Sequence, residues 1–179
     1  MTAVSASRLP VAGLIVLLVL AGCKGRSNSR ARLTEEETPA LATMLHVADP
    51  RAPAQLVSGF YDLEGNAWRW TKGHFSVILK TPPGSAQKGA VLQLRFTLPD
   101  AVISKLQKIS LSASIAGTTL EPESYTRSGQ FVYTRDVPAN RLASDPVKVD
   151  FALDKALPPG PNDQRELGVV VSTVGFEAK

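Results

Sequence analysis

Leu92-Gln93-Leu94-Arg95-Phe96-Thr97-Leu98 runs apolar, polar, apolar without a break. Successive side chains of a strand point to opposite faces, so this run has one face for a core and one for water. The same alternation recurs on both sides. Upstream, Phe75, Val77 and Leu79 alternate with Ser76 and Ile78. Downstream, Ile109, Leu111, Ala113 and Ile115 alternate with Ser110, Ser112 and Ser114, and Val147, Val149, Phe151 and Leu153 alternate with Lys148, Asp150 and Ala152. Phe131 to Val137 and Leu167 to Phe176 add two further strands. Val169-Val170-Val171 is apolar on both faces, which places the last strand centrally.

Turn residues punctuate these runs: Pro82-Pro83-Gly84, Pro99-Asp100, Ala116-Gly117, Ser128-Gly129 and Pro158-Pro159-Gly160-Pro161. About eight short strands separated by such turns predict an all-β, antiparallel sandwich. Within it, Ala101 to Lys108 is expected to make a helical turn with Val102, Ile103 and Leu106 facing inward. Pro138 to Ala143 is expected to do the same. The sandwich is assigned to residues 55–179.

Ahead of the first alternating strand lies the most aromatic stretch, Gly59-Phe60-Tyr61-Asp62-Leu63-Glu64-Gly65-Asn66-Ala67-Trp68-Arg69-Trp70-Thr71. It holds both tryptophans of the chain, two residues apart and therefore on one face of a strand. Flat indole rings suit the C–H face of a pyranose, and the indole N–H can donate to a hydroxyl; aromatic rings also bury large areas in cores. Trp70 is expected in the core, and for Trp68 the core and a sugar-stacking platform stand side by side. Glu64 and Arg69 have the chemistry to meet sugar hydroxyls, but an ion pair between them, pinning the Glu64–Ala67 loop to the strand, is the expectation. Arg165 and Glu166, beside the proline-rich loop, read either as a second pair or as part of a site at one end of the sandwich. With Tyr61 these make the candidate ligand-binding set: Tyr61, Glu64, Trp68, Arg69 and Arg165.

Several chemistries find no support. His46 and His74 are the only histidines and lack partners at zinc-ligand spacing. Asn162 and Asp163 are too few oxygen ligands to define a calcium site. Ser58-Gly59 is not part of a nucleophile elbow, and Gly84 to Gly89 lacks phosphate-loop spacing. Asp150 and Asp154 do not stand out as a glycosidase couple. No cofactor, metal or catalytic activity is therefore expected. A formal charge of +4 without a dense basic block argues against nucleic acid as a partner.

The amino-terminal stretch places the protein. Val11 to Leu20 is an apolar run of ten residues, with Arg8 before it. Spanning a bilayer takes about 20 apolar residues, whereas a run of this length matches a signal-peptide apolar region. Leu20-Ala21-Gly22-Cys23 follows at once and contains the only cysteine. This resembles the lipobox of bacterial lipoproteins, which implies cleavage after residue 22 and lipid attachment at Cys23. Lys24 follows, and by resemblance to Gram-negative sorting rules this implies the outer membrane. Residues 1–22 are read as the signal peptide and 23–54 as the lipidated cysteine and a basic, flexible tether. In the tether, Thr38-Pro39 offers a helix start for Ala40 to Val47, and a strand at Met44 to Val47 is the alternative.

Phe60 to Thr71, with its acid at Glu64 and with Arg69-Trp70-Thr71 leading into an alternating strand, resembles the start of jelly-roll modules appended to bacterial glycosyltransferases. The turn at Ala116-Gly117, then Phe151-Ala152-Leu153-Asp154, then Arg165-Glu166-Leu167-Gly168, fit the same layout, which bacterial envelope lipoproteins share. The resemblance covers residues 55–178 and departs at Trp68, an addition to Trp70. These modules are similar in architecture to galactose-binding-like carbohydrate modules. The implied function is a membrane-anchored, non-catalytic sandwich with a glycan as its ligand. The alternative is a structural or assembly lipoprotein that docks another envelope protein.

Overall fold

In the computed structural model, residues 40–179 are described. Cys23 and the Thr38-Pro39 helix start lie outside them. The elements in order are β1 (Met44–His46), β2 (Leu56–Glu64), β3 (Trp68–Leu79), α1 (Ser85–Lys88), β4 (Ala90–Leu98), α2 (Asp100–Leu106), β5 (Ile109–Ile115), β6 (Thr118–Thr119), β7 (Glu123–Tyr125), β8 (Gly129–Val137), β9 (Val147–Leu153) and β10 (Val170–Ala178). A 3-10 turn at Ala139–Arg141 fills the expected place after Pro138.

Ten strands form one sheet in the order β6-β5-β9-β3-β10-β4-β8, with β1 beside β10, β2 beside β3 and β7 beside β5. Every pairing is antiparallel. The sheet curls into a sandwich because β3 and β10 touch only briefly. They pair at Trp70 with Val170 and Arg69 with Val171. Beyond that point β3 continues along β9, from His74 to Leu79, while β10 continues along β4. Each half of the sheet thereby turns its apolar face on the other. The rings show the closure: Phe96 of β4 meets Tyr125 of β7 edge-on, with ring centroids 5.1 Å apart. Phe131 of β8 approaches the same tyrosine at 4.8 Å.

The expected apolar faces are the core. Leu92, Leu94, Phe96 and Leu98, the inward set of β4, are buried, as are Ile109, Leu111, Ala113 and Ile115 of β5. Phe75 and Phe151 stack across β3 and β9 with centroids 5.0 Å apart. In α2, Val102 and Ile103 are buried and Leu106 packs against the core. The last strand is central, with β1, β3 and β4 all bonded to it. Its three valines differ from expectation in one respect: Val169 and Val171 are buried, but Val170 is half exposed, because its face looks out of the sandwich.

Residues 40–54, read above as tether, pack into this fold. The strand alternative at Met44 is the one adopted, over Met44–His46, and Leu45 and Val47 are buried. Buried Gln55 secures the segment. Its Oε1 accepts from the Ala42 amide at 2.7 Å, and its Nε2 donates to the carbonyls of Ala42 and Ile78 at 3.0 and 2.7 Å. A buried amide side chain is tolerated because its donor and acceptor are both engaged.

Where β3 and β10 cross, the two backbones come very close. A Cβ on Gly168 would stand 2.6 Å from the Lys72 carbonyl, so only glycine fits. Thr71, fully buried, takes up the polar groups there: its Oγ1 donates to the Val169 carbonyl and accepts from the Val169 amide. This crossing sets the outer face on which the candidate site lies.

Candidate functional site

On that outer face lies a groove of about 830 Å³. Its floor can be read from strand register. Trp70, Val170, Thr97 and Gln130 stand side by side across β3, β10, β4 and β8. Further on, where the register of β10 shifts at Ser172, Trp68, Ser172 and Arg95 also line the groove, with Val132 opposite Arg95. Position parity explains the selection: Leu94, Phe96 and Leu98 point into the core, so Arg95 and Thr97 must point out.

Trp68 is 39% exposed and Val132 is 42% exposed, so two of the large apolar side chains that face water flank the same groove. Trp70 is half-buried; it packs on the core and also lines the groove. Expected in the core, it serves both. Of the two alternatives for Trp68, exposure is the one adopted.

The hairpin between β2 and β3 sets the Trp68 ring. Gly65 and Asn66 have φ of +55° and +53°, and the Ala67 amide donates to the Glu64 carbonyl at 3.1 Å. Glycine and asparagine are the residues that enter this left-handed region at least cost. Gly65 has a second role. The indole folds over it, and a Cβ there would stand 2.4 Å from Trp68 Cη2. The missing side chain is the seat of the ring.

Glu64 lines the groove beside this hairpin. The expected Glu64–Arg69 pair does not form. Arg69 pairs with Leu63 across the hairpin, one residue away from the Glu64–Trp68 pair, and a one-residue offset on a strand reverses the face. Arg69 instead donates to the carbonyls of Val47 and Tyr61, both at 3.1 Å, and sews β2 and the end of β1 to β3. It lines a smaller hollow of about 220 Å³ with Phe60 and Tyr61, away from the tryptophans.

Glu64 pairs with Arg165, Oε1 to Nη1 at 2.6 Å. Of the two readings of Arg165 and Glu166, the pair does not form, since neighbours on an extended chain point apart. Glu166 accepts from the Gly73 amide at 2.7 Å. Arg165 is held by Asp163 through both carboxylate oxygens, and its own amide bonds Asp163 Oδ1 at 2.9 Å. The side-chain hydrogen bond from Arg165 holds the Asp163 carboxyl below the usual carboxylate range. In return, the bonds to Asp163 and then Glu64 raise Arg165 further above its ordinary range. The guanidinium carbon also lies 5.2 Å from the centre of the Tyr61 ring. Arg165 thus joins Glu64 to Asp163 and Tyr61, and neither Arg165 nor Tyr61 lines the groove. Among the described residues no group of three His, Cys, Asp or Glu is placed to hold a metal ion.

Of the five candidate ligand-binding residues, Glu64 and Trp68 line the groove, and Trp70, Arg95, Thr97, Gln130, Val170 and Ser172 join them. The exposed positions of β4 and β8 were visible in the alternation. That these strands lie beside β3's tryptophans was not, because the link runs through β10.

No family model matches the chain, and no curated protein matches it in sequence. Two solved structures from Clostridium perfringens ZmpB align with it. One contains CBM51-2 in complex with GlcNAc together with INT domains; the TM-score is 0.35 at 9% identity, over 75% of this chain and 28% of that one. The other contains the M60 catalytic domain with CBM51-1 and CBM51-2; the TM-score is 0.37 at 5% identity, over 76% of this chain and 16% of that one. The chain thus spans less than a third of the length of either, and at these scores the likeness decides neither the fold nor the ligand.

Proposed function

We propose that this protein is a non-catalytic carbohydrate-binding sandwich, held at a bacterial envelope by lipid on Cys23. One observation carries the sugar assignment: Trp68, 39% exposed and seated on Gly65, stands beside Trp70 in an open groove rimmed by Glu64, Arg95, Thr97 and Gln130. Stacking on indole engages the apolar face of a sugar ring, while the surrounding carboxylate, guanidinium, amide and hydroxyl groups offer donors and acceptors to its edge. Binding without chemistry is the simpler use of such a site. Glycoside hydrolysis ordinarily takes two carboxylates flanking the bond, and Glu64, the carboxylate that lines this groove, is tied to Arg165. The anchor rests on Leu20-Ala21-Gly22-Cys23; two or more acyl chains there would hold the protein stably, where one alone would not.

A glycan array and equilibrium titration with the purified protein test the binding, with Trp68→Ala as the control. Glycans should be retained by the parent chain and lost by the variant. A parent chain that retains no glycan above the Trp68→Ala background removes the proposal. The exposed Val132 beside Trp68 also suits the docking of an envelope protein. A specific protein captured from envelope extract in place of glycan, and lost with Trp68→Ala, supports that second reading.

A further inference from the structure

Resting on the carbohydrate reading above, we infer that the groove selects acidic glycans, with Arg95 receiving a sugar carboxylate. The two charged residues that line the groove differ in kind. Glu64 is already matched by Arg165 at 2.6 Å. Arg95 is exposed and takes part in no ion pair and no side-chain hydrogen bond among the described residues. Its backbone carbonyl accepts from Ser172 Oγ at 3.3 Å, leaving the guanidinium itself uncommitted.

The position of Arg95 suits a ligand on the tryptophans. β3 and β4 run the same way, each antiparallel to the β10 between them. Trp70 and Thr97 both stand opposite Val170, and Arg69 and Phe96 both stand opposite Val171; one residue further β10 bulges at Ser172, and Trp68 and Arg95 line the groove on either side of that bulge. Two strand spacings separate their backbones by about 10 Å. A sugar stacked on Trp68 therefore extends over Ser172 toward Arg95, and a carboxylate on that sugar or the next meets the fork of the guanidinium. Arginine matches a carboxylate with two parallel hydrogen bonds, and the bond is charge-assisted. Gln130 and Thr97, on the adjacent row, add neutral donors that tolerate the same charge. Asp163 leaves the Glu64–Arg165 cluster one negative charge in excess, at the hairpin end. That excess favours a ligand whose acid points away from the hairpin and toward β4.

The test uses the full purified chain in detergent and pairs of oligosaccharides identical in ring and linkage: oligogalacturonates against their methyl esters, within an array that also carries neutral glycans. Arg95→Gln is exposed and on the outer face, so circular dichroism should be unchanged. Acid forms should bind at least about tenfold tighter than their neutral partners. Arg95→Gln should erase that preference, Arg95→Lys should restore part of it, and added salt should weaken it. Retention of neutral glycans alone, or an acid preference untouched by Arg95→Gln, overturns the assignment of Arg95 and leaves the sugar reading standing. Retention of no glycan of either kind removes both.

Discussion

Gly65→Ala should unseat Trp68. Two separate penalties follow from the geometry. The first is backbone: φ at Gly65 is +55°, and an L residue held there costs about 1–2 kcal/mol. Alanine also stiffens the unfolded chain, which offsets about 0.4–1 kcal/mol, so the net loss of stability should be about 1 kcal/mol. The second penalty is local. The new Cβ would lie 2.4 Å from Cη2 and 2.8 Å from Cζ3 of the indole, so the ring must swing away. It is the far, exposed end of the side chain, so the movement costs little stability but removes the stacking surface. Losing an aromatic stack worth about 0.5–1.5 kcal/mol weakens sugar binding roughly two- to tenfold. Gly117 supplies the control, because its φ is +75° and nothing lies within 4 Å of a Cβ built on it. Gly117→Ala pays the backbone penalty alone. Urea unfolding, tryptophan emission with acrylamide quenching, and titration of the best array ligand read all three effects. Similar stability losses are expected for the two variants, with changed emission and affinity in Gly65→Ala only. If Gly65→Ala loses stability but keeps the parent emission and affinity, or if Gly117→Ala alters them equally, the seat assigned to Trp68 is wrong.

Gln55→Met should destabilise the protein by about 2–4 kcal/mol in urea, because the Ala42 amide and the Ile78 carbonyl lose their side-chain partner in a water-poor site. A loss below about 1 kcal/mol would show that residues 40–54 are not held through this side chain. Arg165→Ala should cost at most about 1 kcal/mol, as expected for partly exposed ion pairs, yet loosen Glu64 at the groove. Its pH dependence has a definite sign. Asp163 is lowered in the folded state, so its contribution is present above the usual carboxylate range and fades as pH falls through the lowered value. The stability gap between parent and Arg165→Ala should therefore close in strong acid; a gap that widens there contradicts the assignment. Cys23→Ala should accumulate as an uncleaved precursor without lipid, seen by mass spectrometry of the intact protein; normal maturation and detergent partitioning of this variant defeat the anchor proposal.

Period-two alternation made the strands readable without any structure. β5 and β9 fall on the residues the pattern marks, Ile109–Ile115 and Val147–Leu153, and their inward sets are buried. The turn after Pro99 and the inward face of α2 were equally legible, because caps, prolines and apolar spacing act within a few residues. Side-chain partners were less so. Glu64 and Arg69 looked complementary at five positions apart, but the hairpin register put them on opposite faces and gave Glu64 to Arg165, 101 residues away. Within 40–54 the sequence offered a helix and a strand at Met44 to Val47 without choosing between them, and the choice was made by a distant partner, β10 near the far end of the described chain.

Local sequence alone determined which segments extend, which of their faces repel water and where the chain turns, since each depends on side chains within one pleat or one turn of backbone. The order of the strands was decided by the tertiary structure. The brief contact of β3 with β10, permitted by Gly168 and filled by Thr71, brings the two tryptophans into one groove with Arg95 and Gln130. Alternation states that a residue faces outward; long-range pairing chooses what it faces beside, and a binding groove is made of that second choice.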